Sequence, residues 1–192
     1  MSNRAVFLDR DGTLNEDPGY LGDPGKVKLL PFVGEVLSRL KNEFNFILIV
    51  ISNQSGIARG LITAEQVEHV NEKINMLLKE FNVSIDKFYY CPFHPDFNTA
   101  KECSCRKPST EMVDNAVEEF NIDLSKSFFI GDSAADIECG MNAGIKTILV
   151  KTGYGRETFY MLQKGNKIPS FIAENFLDAG NYIMTDLNGA SS

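Results

Sequence analysis

The fold of this chain is decided by the stretch Ala5-Val6-Phe7-Leu8-Asp9-Arg10-Asp11-Gly12-Thr13. Four apolar residues precede two carboxylates and a glycine, a pattern typical of a buried strand that ends in a turn. Side chains two positions apart in an extended segment share a face, so Asp9 and Asp11 can point at one reacting atom. The pair therefore predicts a site for a metal ion and a nucleophile. An ordinary strand that runs into an acidic turn is the alternative.

Apolar runs separated by segments with helical spacing recur along the chain. The runs cover residues 5–8, 46–51, 87–90, 127–130 and 146–150. The predicted helices cover residues 33–40, 67–81, 109–120 and 134–142. The run at 46–51 is continuous rather than alternating, as expected of a strand that is covered on both faces. Strands that alternate with helices predict an α/β fold with a doubly wound parallel sheet, in which ligands bind at the carboxyl ends of the strands.

The length of 192 residues suits one domain with a real core. We expect a single domain over residues 1–188, in which residues 91–108 form a loop insert, and a disordered tail at 189–192. Neither the loop at 91–108 nor a second long loop at 15–31 is large enough to be a separate domain. The sequence therefore predicts no large additional domain over the site.

Charge and hydropathy exclude several classes of function. The net charge of −7 argues against a nucleic-acid-binding protein, which needs a basic face. No apolar run approaches the ~20 residues of a membrane span, and the first residues lack the features of a signal peptide. We expect a cytoplasmic monomer that binds neither nucleic acid nor membranes. An acidic protein can still bind a phosphorylated substrate where a few cations are focused locally.

Polar clusters lie beside successive predicted strands and helices. They are Asp9 with Asp11, residues 52–56 (Ser-Asn-Gln-Ser-Gly), residues 106–108 (Arg-Lys-Pro), and Asp132 with Asp136. Because the carboxyl ends of parallel strands meet at one edge of a sheet, we expect these clusters to form one site. The residue types suit phosphoryl transfer from a substrate to a carboxylate and then to water. Carboxylates bind a hard dication such as Mg²⁺, and Ser52 and Lys107 suit the equatorial phosphate oxygens.

The same clusters resemble the signature motifs of the haloacid dehalogenase superfamily of phosphatases, which have a Rossmann-like fold. The resemblance is closest to the heptose bisphosphate phosphatases and histidinol-phosphatases, and it extends from Ala5 to about Gly153. It includes the strings Asn53-Gln54-Ser55-Gly56-Ile57-Ala58-Arg59-Gly60, Tyr89-Tyr90-Cys91-Pro92 and Cys103-Ser104-Cys105-Arg106-Lys107-Pro108.

The resemblance implies a role for each matching position. Asp9 is the expected nucleophile and Asp11 the general acid and base, with Ser52 and Lys107 stabilising the transferred phosphoryl group. The Asp9 carboxylate, the Asp11 backbone carbonyl and Asp132 are the implied Mg²⁺ ligands. Asp136 is expected to support the metal indirectly, through the residues that bind it. Alternatively, Asp136 only stabilises the start of its helix. The implied substrate-binding residues are Asp17, Pro18, Gly19, Tyr20, Asn53, Gln54, Ser55 and Arg106.

Simpler interpretations stay open for some of these residues. Ser52 and Asn53 can cap a turn, Arg106 can be a solvated surface charge, and Tyr20 can be an ordinary packed aromatic residue.

Three cysteines cluster in the loop insert beside one of the two histidines. Cys91, His94, Cys103 and Cys105 are expected to bind a structural Zn²⁺, which would fasten Arg106 and Lys107 at the site. The chain departs here from the family pattern, which has histidine where Phe93 stands, so His94 or another group must supply the fourth ligand. Three reduced, buried thiols are the alternative. Cys139, on a predicted helix, is expected to be a core residue.

Together these features predict an Mg²⁺-dependent phosphatase that acts on a small phosphorylated sugar. The expected reaction removes the C7 phosphate of a heptose 1,7-bisphosphate and leaves the 1-phosphate, and the loop at Gly19 and Tyr20 favours this substrate by resemblance. Histidinol phosphate or another small sugar phosphate is the alternative substrate. Two further classes are weighed: a receiver-like phosphoacceptor domain, and a zinc-stapled binding module with no catalytic activity.

Overall fold

Six parallel strands form one sheet in a computed structural model that describes residues 2–165 and 167–189. The strands are β1 (Ala5–Leu8), β2 (Ile47–Asn53), β3 (Lys87–Cys91), β4 (Phe128–Gly131), β5 (Lys146–Val150) and β6 (Phe171–Ala173). Their order across the sheet is β3-β2-β1-β4-β5-β6. The chain therefore starts in the middle of the sheet, winds outward to β3, and returns to build the other half from β4.

In the part of the chain that the structure describes, six α-helices cover the two faces of the sheet. They are α1 (Val33–Asn42), α2 (Ala64–Leu78), α3 (Glu111–Phe120), α4 (Ala134–Asn142), α5 (Gly155–Lys164) and α6 (Phe176–Gly189). Buried residues of α1, α2 and α6 pack with Val6 and Leu8 of β1 on one face. Buried residues of α3 and α4 pack with Ala5 and Phe7 on the other, where Cys139 lies in the core as predicted, and α4 also packs against α5. Both faces are thus buried, which explains the continuous apolar run in β2.

The register of the central strands brings the polar clusters to one edge. Leu8, the last residue of β1, pairs with Val50 of β2 and with Ile130 of β4, so the carboxyl ends of the three strands lie at the same edge of the sheet. Asp9, Ser52 and Asp132 follow or lie at these strand ends. The predicted α/β fold with a doubly wound parallel sheet is confirmed.

The predicted elements are confirmed with small shifts of their ends. The helix predicted over 67–81 is α2, which begins after a capping box formed by Thr63 and Gln66 and ends at Leu78 before a 3₁₀ turn. Strand β6 and helices α5 and α6 are not among the predicted elements, and β6 is only three residues long, too short to give a clear apolar run.

The domain boundaries remain a prediction. Gly189 is the last residue of α6 rather than the start of a tail, and residues 190–192 lie outside the described part. Within residues 2–165 and 167–189, no helix has both the length and the apolar character needed to cross a membrane.

Leu37 and Leu61 give a matched test of this core. The Leu37 side chain on α1 is fully buried, whereas that of Leu61 is 58% exposed. We expect Leu37→Ala to lower the free energy of unfolding by about 2–5 kcal/mol, because it removes buried contacts and leaves a cavity. Leu61→Ala should change it by less than about 0.5 kcal/mol. Urea denaturation followed by circular dichroism measures both, and equal losses would contradict the packing described here.

Candidate active site

A cavity of about 500 Å³ opens at the carboxyl ends of the central strands. Of the residues that the sequence analysis predicted for the site, Asp9, Asp11, Asp17, Gly19, Tyr20, Ser52, Asn53, Gln54, Ser55, Arg106, Lys107 and Asp132 line it. Pro18 is exposed and does not line the cavity. The predicted residues therefore come together almost completely, although they lie up to 123 positions apart in the sequence (Asp9 to Asp132).

Three buried carboxylates form the floor of the site. One carboxylate oxygen each from Asp9, Asp132 and Asp136 lies within 4.8 Å of the other two, and in the described part of the chain this is the one group of acidic, histidine or cysteine side chains so arranged. The three residues are at most 8% exposed. Oxygen ligands at this spacing are what a hard divalent cation prefers.

Lys107 is the cation inside this group. Its Nζ lies 2.6 Å from Asp9 Oδ1 and 2.5 Å from Asp136 Oδ1, and it donates a hydrogen bond to the Ile51 carbonyl oxygen at 2.6 Å. Burial by itself would lower the pKa of Lys107, but the carboxylates of Asp136 and Asp9 outweigh it and raise this pKa above the usual range. Lys107 is therefore charged at neutral pH.

The carboxylates carry more negative charge than Lys107 can neutralise. Burial raises the pKa of Asp9 well above its usual value, and the nearby Asp136 carboxylate adds to this effect. Burial and Asp136 likewise raise the pKa of Asp132 to about 7. When all three carboxylates are ionised, they exceed the single ammonium by two negative charges, so a divalent cation would stabilise the ionised form. The donor set thus fits a metal ion such as Mg²⁺.

Asp11 lies on the cavity wall, outside the group of three carboxylates. Its carboxylate accepts hydrogen bonds from Arg10 Nη2 at 2.8 Å, Asn15 Nδ2 at 2.9 Å and Gln54 Nε2 at 3.0 Å. These three donors fix its direction, and the rest of the side chain stays partly open to the cavity. Asp11 is therefore separate from the group of three carboxylates, and its position on the cavity wall suits proton transfer.

Arg10 is a functional residue that the sequence analysis missed. It is only 1% exposed, and it also donates a hydrogen bond to Asn71 Oδ1 at 3.1 Å, which ties the end of β1 to α2. The sequence did contain an indication of this role. Arg10 stands between Asp9 and Asp11 directly after a buried strand, and a buried arginine needs hydrogen-bond or ion-pair partners.

The carboxyl end of β2 and the residue that follows it position Ser52 and Lys107. Gln54 Nε2 donates to Ser52 Oγ at 2.7 Å, which orients that hydroxyl. Asn53 holds the backbone of Lys107 from both sides: it accepts from the Lys107 N–H at 3.0 Å and donates to the Lys107 carbonyl oxygen at 3.2 Å. Asn53 thus positions the ammonium in addition to lining the cavity. Ser52 and Asn53 do not merely cap a turn.

The loop after β1 forms one side of the cavity mouth. The Asp17 carboxylate accepts a hydrogen bond from the Gly19 N–H at 2.8 Å, and burial raises the pKa of Asp17. Tyr20 is 50% exposed, and its ring lies so close to Gly56 that a Cβ there would come within 2.8 Å of Tyr20 Cδ1. Tyr20 is therefore a rim residue with one packed edge.

Asp136 stabilises the start of its helix, which is the alternative that the sequence left open, and its support of a metal ion stays a prediction. Its carboxylate accepts from the Ser133 N–H at 2.9 Å and completes a capping box at the start of α4. Its other oxygen makes the ion pair with Lys107. The start of α4 and the ammonium are therefore held by the same side chain.

The predicted zinc site is wrong in this structure. Cys91 and Cys105 form a disulfide, with their Cα atoms 5.5 Å apart, and Cys103 is a free, half-buried cysteine. The ring nitrogens of His94 contact Arg59 and the backbone N–H of Asp96 instead of a cysteine. The predicted alternative of three reduced thiols is wrong as well.

Phe93 gives the physical reason. In the position where the family has histidine, its ring packs against the apolar cluster that contains Cys91. An imidazole would offer a ligand nitrogen, whereas a phenyl ring offers only apolar surface. The loop that carries Arg106 and Lys107 is therefore fastened by a disulfide and apolar packing.

The fold and site together define a hydrolase of the haloacid dehalogenase type, and a family model described as HAD-hydrolase-like matches residues 104–179. A D-glycero-D-manno-heptose-1,7-bisphosphate 7-phosphatase of Chlorobaculum tepidum is 40% identical over 187 residues, which cover 93% of this chain and 92% of that protein. A D-glycero-beta-D-manno-heptose-1,7-bisphosphate 7-phosphatase of Haemophilus ducreyi is 35% identical over 95% of this chain and 100% of its own length.

A solved structure agrees with these relatives. The D,D-heptose 1,7-bisphosphate phosphatase of B. bronchiseptica, complexed with magnesium and phosphate, superposes with a TM-score of 0.84 at 28% identity. The match covers 95% of this chain and 99% of that one. The chain belongs to the heptose-1,7-bisphosphate 7-phosphatase family of phosphoric monoester hydrolases.

Asn53 and Asn142 provide a matched test of how Lys107 is positioned. Asn53→Ala removes both bonds to the Lys107 backbone, so the ammonium is held less precisely and kcat should fall about 10–100-fold with little change in KM. Asn142 donates a hydrogen bond to the carbonyl oxygen of Pro108, the residue after Lys107, but it lies outside the cavity. Asn142→Ala should therefore keep the activity of the unmodified enzyme. Steady-state kinetics decides, and equal effects of the two variants would contradict the assignment.

The cysteine pairing is tested by peptide mapping and metal analysis. Protein purified without reductant or chelator should contain a peptide linked through Cys91 and Cys105 and less than about half an equivalent of zinc. Cys105→Ser should abolish the link, while Cys103→Ser should leave it intact. One equivalent of zinc that is lost in both variants would contradict the disulfide and restore the four-ligand site.

Proposed function

We propose that this enzyme removes the C7 phosphate of a heptose 1,7-bisphosphate through an aspartyl-phosphate on Asp9, with Mg²⁺ as cofactor. The observation that carries the proposal is the position of Asp9, which lies within one cavity beside Lys107 and two further buried carboxylates. The names of the relatives support the substrate, and the magnesium in the B. bronchiseptica complex supports the metal.

Asp9 is the nucleophile in this proposal. Oδ1 of Asp9 is held by Lys107, which leaves the second carboxylate oxygen to attack phosphorus. The attack forms an acyl-phosphate bond and breaks the bond between phosphorus and the ester oxygen. Mg²⁺ would be held by the Asp9 and Asp132 carboxylates and the Asp11 backbone carbonyl, and when bound it neutralises charge between the carboxylate and the phosphate.

Asp11 moves the proton in both steps. Its protonated form donates to the leaving alkoxide of the sugar, and the resulting carboxylate then accepts a proton from the water that hydrolyses the aspartyl-phosphate. The Ser52 hydroxyl and the Lys107 ammonium bind the equatorial oxygens, where negative charge accumulates. Gln54 bonds both Ser52 and Asp11 and so keeps the two groups aligned.

Arg106 is the proposed partner of the second phosphate. It lines the cavity one residue before Lys107, and its Nη1 donates to the Phe93 carbonyl oxygen at 3.2 Å. Burial lowers the pKa of Arg106, the neighbouring Cys103 opposes this shift, and the charge of Arg59 adds to it. A half-buried guanidinium on the cavity wall favours an anionic group of the substrate.

The membership in a phosphatase family favours a hydrolase over a receiver-like phosphoacceptor or a binding module. Histidinol phosphate is the alternative substrate within the class. The half-exposed Tyr20 at the cavity mouth and the cationic Arg106 both favour a larger, doubly phosphorylated sugar.

Asp9→Asn tests the nucleophile. The amide cannot form an acyl-phosphate, so kcat should fall about 10³-fold or more while the thermal midpoint stays near that of the unmodified enzyme. Asp186→Asn is the control, because Asp186 pairs with Lys146 away from the cavity. Phosphate release and thermal denaturation measure both variants, and an active Asp9→Asn enzyme would mean that another group attacks phosphorus.

Parallel kinetics on two substrates test the specificity. We expect a higher kcat/KM for the heptose bisphosphate than for histidinol phosphate. Arg106→Ala should raise KM for the bisphosphate about 10–100-fold, because a charge-assisted contact to the second phosphate is lost. Arg39→Ala, on the exposed side of α1, should leave both substrates unaffected. A preference for histidinol phosphate, or an Arg106→Ala enzyme with unchanged KM for the bisphosphate, would contradict the proposed substrate.

A further inference from the structure

An exposed aromatic residue lies at the site without a role in the chemistry described so far. Tyr154 follows β5 and directly precedes α5, its side chain is 60% exposed, and it lines the cavity that contains Asp9. The backbone N–H of Tyr154 donates to Asp132 Oδ2 at 2.7 Å. The residue is therefore tied to the floor of the site through its backbone while its side chain stays available to a ligand.

The backbone on both sides of Tyr154 is fixed. A Cβ at Gly153 would come within 2.1 Å of Asp132 Oδ2 and 2.7 Å of Gly12 Cα, and a Cβ at Gly155 would come within 1.8 Å of the Val150 carbonyl oxygen. The Thr152 hydroxyl also donates to the Gly12 carbonyl oxygen at 2.7 Å. Positions 153 and 155 therefore have no room for a side chain, and the exposed ring projects from a closely packed backbone.

Tyr154 and Tyr20 lie on opposite sides of the reacting group. The Tyr20 ring packs over Gly56, which follows β2, whereas Tyr154 follows β5. In the strand order β3-β2-β1-β4-β5-β6, the strands that carry Asp9 and lead to Asp132 lie between them. A substrate whose phosphate contacts Asp9 therefore extends its carbon chain out of a cavity with an aromatic ring on each side.

A second cavity adjoins the first at Tyr154. It has a volume of about 340 Å³, and Tyr154 and Asp17 contribute to the walls of both cavities. Gly12, Glu16 and Leu30 form the rest of its wall with Gly153. Tyr154 therefore lies where a sugar that extends beyond the cavity containing Asp9 would contact the protein.

We propose that Tyr154 is a specificity-determining residue, whose ring packs against the C–H groups of the sugar chain opposite Tyr20. A tyrosine offers a large apolar face and a hydroxyl in one side chain, which suits the mixed C–H and O–H surface of a sugar. The proposal rests on the sugar-phosphate activity proposed above, and it concerns binding of the part of the substrate that does not react.

Three variants and two phosphorylated substrates test this inference. Tyr154→Ala removes the ring but keeps the backbone N–H that contacts Asp132, and Tyr154→Phe keeps the ring. Tyr160→Ala is the matched control, since Tyr160 is 65% exposed on α5 but does not line the cavity. The two substrates are the heptose bisphosphate and acetyl phosphate, an acyl phosphate whose carbon chain is too short to reach the rim. Thermal denaturation checks that all three variants fold.

We expect Tyr154→Ala to raise KM for the heptose bisphosphate about tenfold, with kcat within about twofold. The ratio of kcat/KM for the heptose bisphosphate to that for acetyl phosphate should fall about tenfold as well. Tyr154→Phe should restore most of this loss, and Tyr160→Ala should show none of it. An unchanged KM for the heptose bisphosphate in Tyr154→Ala, or an equal loss of kcat/KM on both substrates, would overturn the inference.

Failure of the proposed function gives a different result. If the unmodified enzyme hydrolyses acetyl phosphate but not the heptose bisphosphate, the substrate proposal fails, and the same variants are compared on the best substrate in a panel of sugar phosphates. The proposed role of Tyr154 is supported if Tyr154→Ala raises KM for that sugar phosphate. It is overturned if Tyr154→Ala leaves this KM unchanged, or if the unmodified enzyme hydrolyses no sugar phosphate.

Discussion

The structure depends on one electrostatic constraint: three carboxylates and one ammonium are buried together at the edge of the sheet. Charged groups lose their hydration in such a place, so each must be held by a partner. Lys107 bonds Asp9 and Asp136, Asp136 also caps α4, and Asp132 accepts the backbone N–H of Tyr154. In the proposed function, this group of carboxylates binds a divalent cation, which in turn favours the binding of a phosphate.

The parallel sheet is what makes this arrangement possible. Strands β1, β2 and β4 are covered on both faces, so their polar residues can lie only at the ends. Because the carboxyl ends of these parallel strands lie at one edge of the sheet, Asp9, Ser52 and Asp132 line the same cavity although they are far apart in the sequence. The loop from Cys91 to Lys107 then brings the ammonium, and its disulfide and the two bonds from Asn53 hold it there.

The strands and most of the residues at the site could be predicted from the sequence, because both follow from local patterns. Apolar runs gave the five longer strands, and the polar residues behind them gave the members of the site. The positioning contacts could not be predicted, since they join distant segments: Arg10 to Asn71, Asn53 to the Lys107 backbone, and Tyr154 to Asp132. The cysteine spacing suggested zinc, and only the packing of Phe93 and the direction of His94 indicated another solution.

The central claim is that Asp9 becomes covalently phosphorylated during turnover. The most direct measurement is mass spectrometry of peptides from enzyme that is quenched with acid during hydrolysis of the heptose bisphosphate in the presence of Mg²⁺. The account predicts the added mass of one phosphoryl group on the peptide that contains Asp9, and its disappearance once the substrate is exhausted. Rapid turnover with no phosphoryl group on Asp9, or with the group on another residue, would contradict the account.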